Sequence, residues 1–198
     1  MTDQYPILMD QVDQDALKAL AYQIPAGGQC VEIGSFCGGS AKLILDNAPD
    51  DIFLTCFDHS WLDPDVPGAY INAFSDRDLE EGLEAFLDQW NFKQYPNTWD
   101  FASEYLRFNS NVKLVPSRSP YDVKWNTPVD FVFEDSSHKN PQLKDNLQFW
   151  WPKVKPGGVL AGHDYNPNYP DIIREVLNFA RNAIEVHIIG TLWWVVKP

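Results

Sequence analysis

The sequence predicts an α/β fold whose sheet is mostly parallel and ends in an antiparallel hairpin. Short apolar runs alternate with segments of helical spacing, which is typical of βαβ units. A glycine-rich turn joins the first apolar run to a helical segment. The last two apolar runs are connected only by Gly190-Thr191, and two residues are too few for a parallel crossover.

The predicted elements follow in order along the chain. An opening helix is predicted over 13–23, where apolar residues recur at helical spacing before Pro25. Apolar runs rich in β-branched and aromatic residues predict strands at 30–34, 52–58, 112–115, 129–134, 158–162, 184–189 and 192–196. Helical spacing predicts further helices at 40–47, 80–90, 99–108 and 139–151.

The stretch 61–108 lies between the second and third predicted strands and differs from the rest of the chain. It carries eleven of the 28 aromatic residues, and its ten acidic and three basic residues contribute −7 to the net charge. Residues 63–68 are rich in proline and glycine and predict a turn and loop. Two interpretations stay open: extra helices packed on the sheet, or a lid or substrate wall.

Composition limits the classes of function. The 198 residues suffice for one sizeable core, so we expect one domain over 1–198. The 15 basic and 28 acidic residues give a net charge of −13, which disfavours nucleic acid and anionic membranes and leaves a small-molecule substrate. A homodimer is compatible with the sequence but is not specified by it.

The three cysteines indicate a reducing environment. Cys30, Cys37 and Cys56 form no CxxC pair and are odd in number, so we expect no disulfide framework and a cytoplasmic location. Residues 1–15 have neither the basic nor the apolar region of a signal peptide. No apolar run approaches the roughly 18 residues that a membrane span needs.

The segment Glu32-Ile-Gly-Ser-Phe-Cys-Gly-Gly-Ser40 is the glycine-rich turn between the first strand and its helix. Its spacing differs from GxGxxG and it lacks the Lys-Ser/Thr ending of a phosphate-binding loop, which argues against nucleotide phosphates. Asp58, 24 residues after Gly34, ends the next strand and is placed to accept hydrogen bonds from ribose hydroxyls. A turn aspartate is the alternative interpretation of Asp58.

Two acidic residues and two histidines follow neighbouring strands. Asp135 and His138 come after the fourth strand, and His163 and Asp164 come after the fifth. Because ligands bind outside the carboxyl ends of strands in an open α/β sheet, these are the first candidates for chemistry. Alternatively, His138 is a surface-loop residue and His163 a hydrogen-bonded strand-end residue.

These motifs resemble those of the class I S-adenosylmethionine-dependent methyltransferases. Glu32 to Gly38 is similar to their ExGxxxG motif, and Asp58 matches their ribose-binding acid. The second half of the chain resembles one branch of this family, which contains macrocin-type sugar O-methyltransferases and cephalosporin-hydroxylase-like proteins. The resemblance rests on Asp135-Ser-Ser-His138 and on Lys155-Pro-Gly-Gly followed by His163-Asp164. The resemblance covers about 29–60 and 112–165 and implies a Rossmann-like three-layer sandwich with sheet order 3-2-1-4-5-7-6.

The resemblance implies a role for each candidate residue. The candidate catalytic residues are His138 and Asp135. His138 is the implied general base, and its ordinary pKa of about 6.5 suits proton abstraction. Asp135, His163 and Asp164 are the candidate metal ligands. That branch often has an acid where His163 stands, so Mg²⁺, a softer divalent cation or no metal remain alternatives. The candidate cofactor-binding residues are Glu32, Gly34, Ser35, Gly38, Ser40, Asp58, Ser117, Arg118 and Glu134.

The expected function is methyl transfer from S-adenosylmethionine to a small-molecule acceptor, with a hydroxyl oxygen of a sugar or natural product as the first choice. Three other functions stay open: a cofactor-binding protein of the hydroxylase-like branch, a Rossmann-like oxidoreductase and a non-enzymatic binding or scaffold domain. The missing GxGxxG argues against the oxidoreductase.

Overall fold

A computed structural model describes residues 5–62, 88–182 and 184–198. Its centre is a seven-stranded sheet of order β3-β2-β1-β4-β5-β7-β6. The strands are β1 Gln29–Ile33, β2 Phe53–Asp58, β3 Val112–Pro116, β4 Val129–Glu134, β5 Val154–Gly162, β6 Val186–Ile189 and β7 Leu192–Val196. Strands β1 to β5 pair in parallel, and β7 pairs antiparallel with both β5 and β6. The predicted fold class, strand order and closing hairpin are confirmed.

Five α-helices cover the sheet within the described residues. They are α1 Gln11–Tyr22, α2 Gly39–Asn47, α3 Thr98–Tyr105, α4 Gln142–Trp150 and α5 Pro170–Arg181. Sequence analysis did not predict α5. The loop predicted at 63–68 and the helix predicted at 80–90, apart from 88–90, lie outside the described residues.

The helices form two layers, one on each face of the sheet. Buried residues of α1, α2 and α3 form one apolar cluster with Cys30, Phe131 and Phe133 of the central strands. Buried residues of α4 and α5 form a second cluster with Val31 and Val132. Successive strand residues point to opposite faces, so β1 and β4 are apolar on both sides and lie between the two layers.

The order in which strands are added to the sheet reverses between β1 and β4. Strands β2 and β3 extend the sheet to one side of β1, whereas β4 and β5 extend it to the other. Ile33 pairs with Glu134 at the carboxyl ends of the two strands, and the Asp135 N–H donates to the Ile33 carbonyl at 2.8 Å. A crevice at this edge is where open α/β sheets bind ligands.

Most predicted boundaries lie within one to three residues of the observed ones, and two of the differences have a clear physical cause. Strand β5 begins at Val154 instead of 158, because its pairing with β4 shifts register between Val129 and Phe131 and continues on both sides of that irregularity. Helix α4 begins only after Pro141, whose ring lacks an N–H and suits the start of a helix but not its interior. No helix within 5–62, 88–182 or 184–198 is long and apolar enough to cross a lipid bilayer.

Candidate functional site

Four polar side chains meet at the carboxyl ends of β4 and β5. Asp135 directly follows β4, and His163 and Asp164 directly follow β5. Asp135, His138 and Asp164 each offer one ligand atom, and these atoms lie within 4.8 Å of one another. The structure thus brings together the side chains that follow the two neighbouring strands.

His138 is held by Asp164 on one side and by an aromatic ring on the other. Its Nε2 lies 2.8 Å from Asp164 Oδ2. Its ring lies against Tyr169, with centroids 4.2 Å apart and planes inclined at 30°. Burial acts to lower the pKa of His138, but the hydrogen bond and charge of Asp164 outweigh it, and the pKa lies above its ordinary value. A histidine oriented by a carboxylate can act as a general base.

His163 is more deeply buried than His138, and both of its ring nitrogens lie near polar side chains. Its Nε2 lies 3.2 Å from Asp13 Oδ2 and 3.0 Å from Thr191 Oγ1. Its Nδ1 lies 3.5 Å from Asp164 Oδ1 and 3.7 Å from Asp135 Oδ1. Burial acts to lower the pKa of His163, but Asp135 and then Asp164 raise it, to about 11.

The two carboxylates of the cluster have opposite pKa shifts. Burial raises the pKa of Asp135 above its ordinary value, although His163 partly offsets that effect. Burial also acts to raise the pKa of Asp164, but His138 and His163 outweigh it and lower that pKa. Asp164 has a left-handed backbone with φ of 62°, a conformation that aspartate tolerates better than most residues.

A cleft opens beside this cluster, over the ends of β1 and β2. It is shallow and open, and the roughly 260 Å³ of space between its walls includes open solvent. Its walls consist of strand-end and loop residues and of the first residue of α4: Ile33, Gly34, Phe57, Asp58, His59, Ser117, Ser119, Ser136 and Gln142. The Ser117 hydroxyl is buried and has no hydrogen-bond partner among the described residues. A ligand with a polar group at this wall would supply that partner.

Asp58 lines the cleft and also organises the loops around it. Its Oδ2 accepts from the Phe36 N–H at 2.6 Å, and its Oδ1 accepts from the Ser60 N–H at 2.7 Å. Each carboxylate oxygen has a second lone pair, so both can also accept from a ligand hydroxyl. The turn interpretation and the ligand interpretation of Asp58 are therefore compatible.

Each glycine of the turn is needed for close packing within the protein. Gly34 has φ of +91°, and a Cβ there would lie 2.2 Å from the Asp135 carbonyl oxygen. Gly38 has φ of +78°, and a Cβ there would lie 2.9 Å from Leu106 Cδ1. The turn therefore brings β1 against the loop that carries Asp135.

Glu32 lies fully buried beneath the turn and is not part of the cleft wall. Ser35 donates a hydrogen bond to Glu32 Oε2. Burial raises the pKa of Glu32 to about 7, although the hydroxyls of Ser35 and Ser40 lower it in part. Glu32, Ser35 and Ser40 therefore support the turn from below.

Glu134 belongs to a polar network on the α4 side of the cleft. Its Oε1 accepts from Ser136 Oγ at 2.6 Å and from Asn146 Nδ2 at 3.2 Å. The network continues because Ser119 Oγ donates to Asn146 Oδ1 at 2.8 Å and accepts from Trp150 Nε1 at 3.0 Å. Burial raises the pKa of Glu134 to about 7.

Arg118 and His187 lie away from the cleft. Arg118 is exposed and is not among the cleft residues, whereas its neighbours Ser117 and Ser119 are. His187 stacks on Trp194 in the hairpin, with ring centroids 5.0 Å apart.

Sequence analysis did not single out His59, Ser119, Ser136 or Gln142 as cleft residues. The signal available for Ser136 and His59 was their place one residue after Asp135 and Asp58. Gln142 and Asn146 are four apart at the start of α4, which puts them on the same face of the helix.

Several solved structures share this fold. A precorrin-6y C5,15-methyltransferase from Geobacter metallireducens superposes with a TM-score of 0.63 at 11% identity, covering 93% of this chain and 87% of that one. An O-methyltransferase from Bacillus cereus in complex with SAH has a TM-score of 0.59 at 14% identity, covering 96% and 82%. A SAM-dependent O-methyltransferase from Thermotoga maritima has a TM-score of 0.60 at 12% identity, covering 99% and 68%.

A family model described as a methyltransferase domain matches residues 31–165. That span contains the glycine-rich turn, Asp58, the cleft and all four residues of the cluster. The chain therefore belongs to the methyltransferase domain family, which implies S-adenosylmethionine as the methyl donor.

Proposed function

We propose that this protein transfers a methyl group from S-adenosylmethionine to a hydroxyl oxygen of a small molecule, with His138 as the general base. The observation that carries the proposal is the 2.8 Å contact of His138 Nε2 with Asp164, beside Asp135 and next to the cleft. The two neighbours described as O-methyltransferases support oxygen as the acceptor atom. The motifs at 135–138 and 163–164 support a place near the macrocin-type branch.

The cleft is the proposed cofactor site. Asp58 would accept hydrogen bonds from the ribose hydroxyls, and the unpartnered Ser117 hydroxyl offers a polar contact nearby. Gly34 brings the β1 end against Asp135, so the cleft and the acidic cluster share one boundary. The residues that would hold the cofactor therefore lie next to the loop that carries Asp135 and His138.

The reaction is an in-line displacement. The acceptor oxygen attacks the methyl carbon, the carbon–sulfur bond breaks, and the products are the methyl ether and S-adenosylhomocysteine. The acceptor proton passes to His138. Because His138 Nε2 faces the Asp164 carboxylate, Nε2 carries a hydrogen and Nδ1 is the nitrogen free to accept the proton.

A divalent cation fits the donor atoms of the cluster. It would be held by Asp135, Asp164 and His163, because Oδ1 of each carboxylate faces His163 Nδ1. The other oxygen of Asp164, Oδ2, contacts His138. A mixed carboxylate and imidazole set favours a transition ion such as Mn²⁺ over Mg²⁺. When bound, the cation would lower the pKa of an acceptor hydroxyl.

Cofactor binding is the first test. Calorimetric titration with S-adenosylhomocysteine should give micromolar affinity, about −8 kcal/mol. Asp58→Ala should weaken it by about 2 kcal/mol, roughly 30-fold, because two acceptor atoms are lost. Asp51→Ala is the matched control, since Asp51 is an exposed acid near the opposite end of β2. Absence of binding by the unaltered protein would contradict the proposed activity.

The base is tested by turnover once an acceptor has been found. His138→Ala should reduce kcat by about 10²–10⁴-fold, the usual contribution of general base catalysis, and leave cofactor affinity unchanged. His187→Ala should keep full activity, because His187 packs on Trp194 in the hairpin. Full turnover by both Asp135→Ala and His138→Ala would disprove the catalytic assignment.

A further inference from the structure

Asp13 is a buried acid of α1 whose oxygens all point at the closing hairpin and at His163. Its side chain is 3% exposed. Asp13 Oδ1 accepts from the backbone N–H groups of Thr191 at 2.8 Å and Leu192 at 3.2 Å. Asp13 Oδ2 accepts from the Thr191 hydroxyl at 2.9 Å and lies 3.2 Å from His163 Nε2. Thr191 therefore contacts both oxygens, whereas Leu192 contacts only Oδ1 and His163 only Oδ2.

The turn between β6 and β7 is shaped to admit this carboxylate. Gly190 has φ of +61°, and a Cβ at this position would lie 2.1 Å from Asp13 Oδ1. A side chain at 190 would push Asp13 away from Thr191. Burying an acid costs free energy unless it is hydrogen-bonded, and here the hairpin supplies the donors.

The contacts around His163 Nε2 determine which way its ring faces. The Thr191 hydroxyl hydrogen points to Asp13 Oδ2, so Thr191 Oγ1 acts as an acceptor toward Nε2. Asp13 Oδ2 is an acceptor as well, and Nε2 therefore carries a hydrogen. Nδ1 then faces the Oδ1 atoms of Asp164 and Asp135 at 3.5 and 3.7 Å, longer than the usual 2.7–3.2 Å of an N–H···O bond.

We propose that Asp13 is a positioning residue for a divalent-cation site. By holding Nε2 of His163, it turns Nδ1 of that ring toward the site. One oxygen of Asp135 and one oxygen of Asp164 complete the site. The inference rests on the proposed function only in assuming that the cluster takes a cation. A carboxylate that fixes the distal nitrogen of a ligand histidine orients the ring and sets its tautomer. Asp13 itself touches neither the cation nor the substrate.

Asp13→Asn is the sharpest test of this role. The asparagine can keep Oδ1 on the Thr191 and Leu192 N–H groups, and its amide replaces Oδ2 with a donor facing Nε2. A donor there favours the tautomer with hydrogen on Nδ1, which removes the lone pair aimed at the cluster. Mn²⁺ affinity measured by calorimetry should fall 10–100-fold.

The matched control is Asp15→Asn, which makes the same change two residues further along α1. The Asp15 side chain is 61% exposed, and it contacts Gln11 Nε2 at 2.8 Å and Lys18 Nζ at 3.4 Å on the same helix, so Mn²⁺ affinity should stay within about twofold. S-adenosylhomocysteine affinity, measured without Mn²⁺, should be unchanged in both variants, because the cleft residues do not include Asp13.

A second variant covers the case in which Asp13→Asn does not fold. Thr191→Val removes the other acceptor of the Nε2 hydrogen but keeps Asp13 and its backbone bonds, and Mn²⁺ affinity should fall several-fold. Two results overturn the inference: unaltered protein that binds neither Mn²⁺ nor Mg²⁺, or folded Asp13→Asn and Thr191→Val that bind Mn²⁺ as the unaltered protein does. Failure to bind S-adenosylhomocysteine would instead overturn the proposed methyl transfer.

Discussion

Asp164 serves two neighbours through its two oxygens. Oδ2 is 2.8 Å from His138 Nε2, and Oδ1 is 3.5 Å from His163 Nδ1. The left-handed backbone of Asp164 turns the chain as β5 ends, so the side chain lies between the two rings. A single residue thus couples the proposed base to the proposed cation site.

Asp164→Asn should lower the pKa of His138. The hydrogen bond and charge of Asp164 are what hold that pKa above its ordinary value against burial, so their removal lets burial dominate. An NMR titration of the His138 ring protons measures the change without an acceptor. In turnover, the rise of kcat with pH should move to lower pH, since the neutral imidazole is the active form.

His187 provides the control for that titration. It lies in the hairpin against Trp194, so its ring signals serve as the internal reference in both proteins. An unchanged His138 titration in Asp164→Asn would mean that the 2.8 Å contact does not set its proton affinity.

The strand-end rule placed Asp135, His138, His163 and Asp164 together from the sequence, because parallel strands bring their carboxyl ends to one edge. Asp13 could not be found this way. It is 150 residues from His163 and belongs to a helix that carries no motif. Only the packing of α1 against the hairpin makes it a neighbour, and no local pattern encodes that contact.

At the scale of elements, the glycine-rich turn acts as a spacer between β1 and the loop after β4. Gly34 packs against the Asp135 carbonyl and the Ser136 Cα, at 2.2 and 2.6 Å from an added Cβ. The turn therefore fixes the height of Asp135 over the sheet edge. A bulkier residue would separate two strand ends that both contribute to the site.

Gly34→Ala should destabilise the fold by about 2–4 kcal/mol and weaken cofactor binding. Two costs add: strain at positive φ of about 1 kcal/mol, and overpacking of about 1–3 kcal/mol. Gly157→Ala measures the backbone strain alone. Gly157 also has a positive φ, +78°, but an added Cβ there would have nothing within 4 Å. Urea denaturation of both variants gives the comparison, and equal losses would show that close packing is not what requires Gly34.

The bounds of a strand were most predictable where one uninterrupted apolar run of the sequence forms the whole strand. The runs at 129–134 and 192–196 matched β4 and β7 to the residue. The early start of β5 depends on a register shift against its partner, which the run at 158–162 does not reveal by itself. Helix α5 was missed although Ile172 and Val176 recur at helical spacing and are buried in the second cluster.

At the scale of the whole molecule, two buried acids lie at the ends of the two central strands. Glu32 is on β1 and Glu134 ends β4, and burial raises the pKa of each to about 7. The protein thus keeps carboxyl groups inside a fold whose formal net charge is already −13. Ionising either one works against the folded state.

Stability should therefore fall as the pH rises from about 4.5 to 7. The folded pKa of Glu32 is above its ordinary 4.5, so the stability that its protonated form provides is present below pH 4.5 and is lost by about 7. Glu32→Gln cannot ionise, and relative to the unaltered protein it should gain about 3 kcal/mol across this range. Denaturation at pH 4.5, 6 and 8 measures the difference.

Glu185→Gln is the control for that series, because its side chain is 83% exposed. An exposed substitution of this kind should change the free energy of unfolding by less than about 0.5 kcal/mol at each pH. A constant difference for Glu32→Gln would mean that Glu32 titrates as an ordinary surface acid.

The bond between Asp13 and Thr191 joins positions 178 residues apart. Contacts between such distant positions form late in folding, because closing the chain between them costs conformational entropy. Until then, Asp13 has no hairpin to anchor it and His163 has no Thr191 beside it. The proposed cation site would thus be one of the last parts of the molecule to form, and a partly folded chain would lack the contact that orients His163.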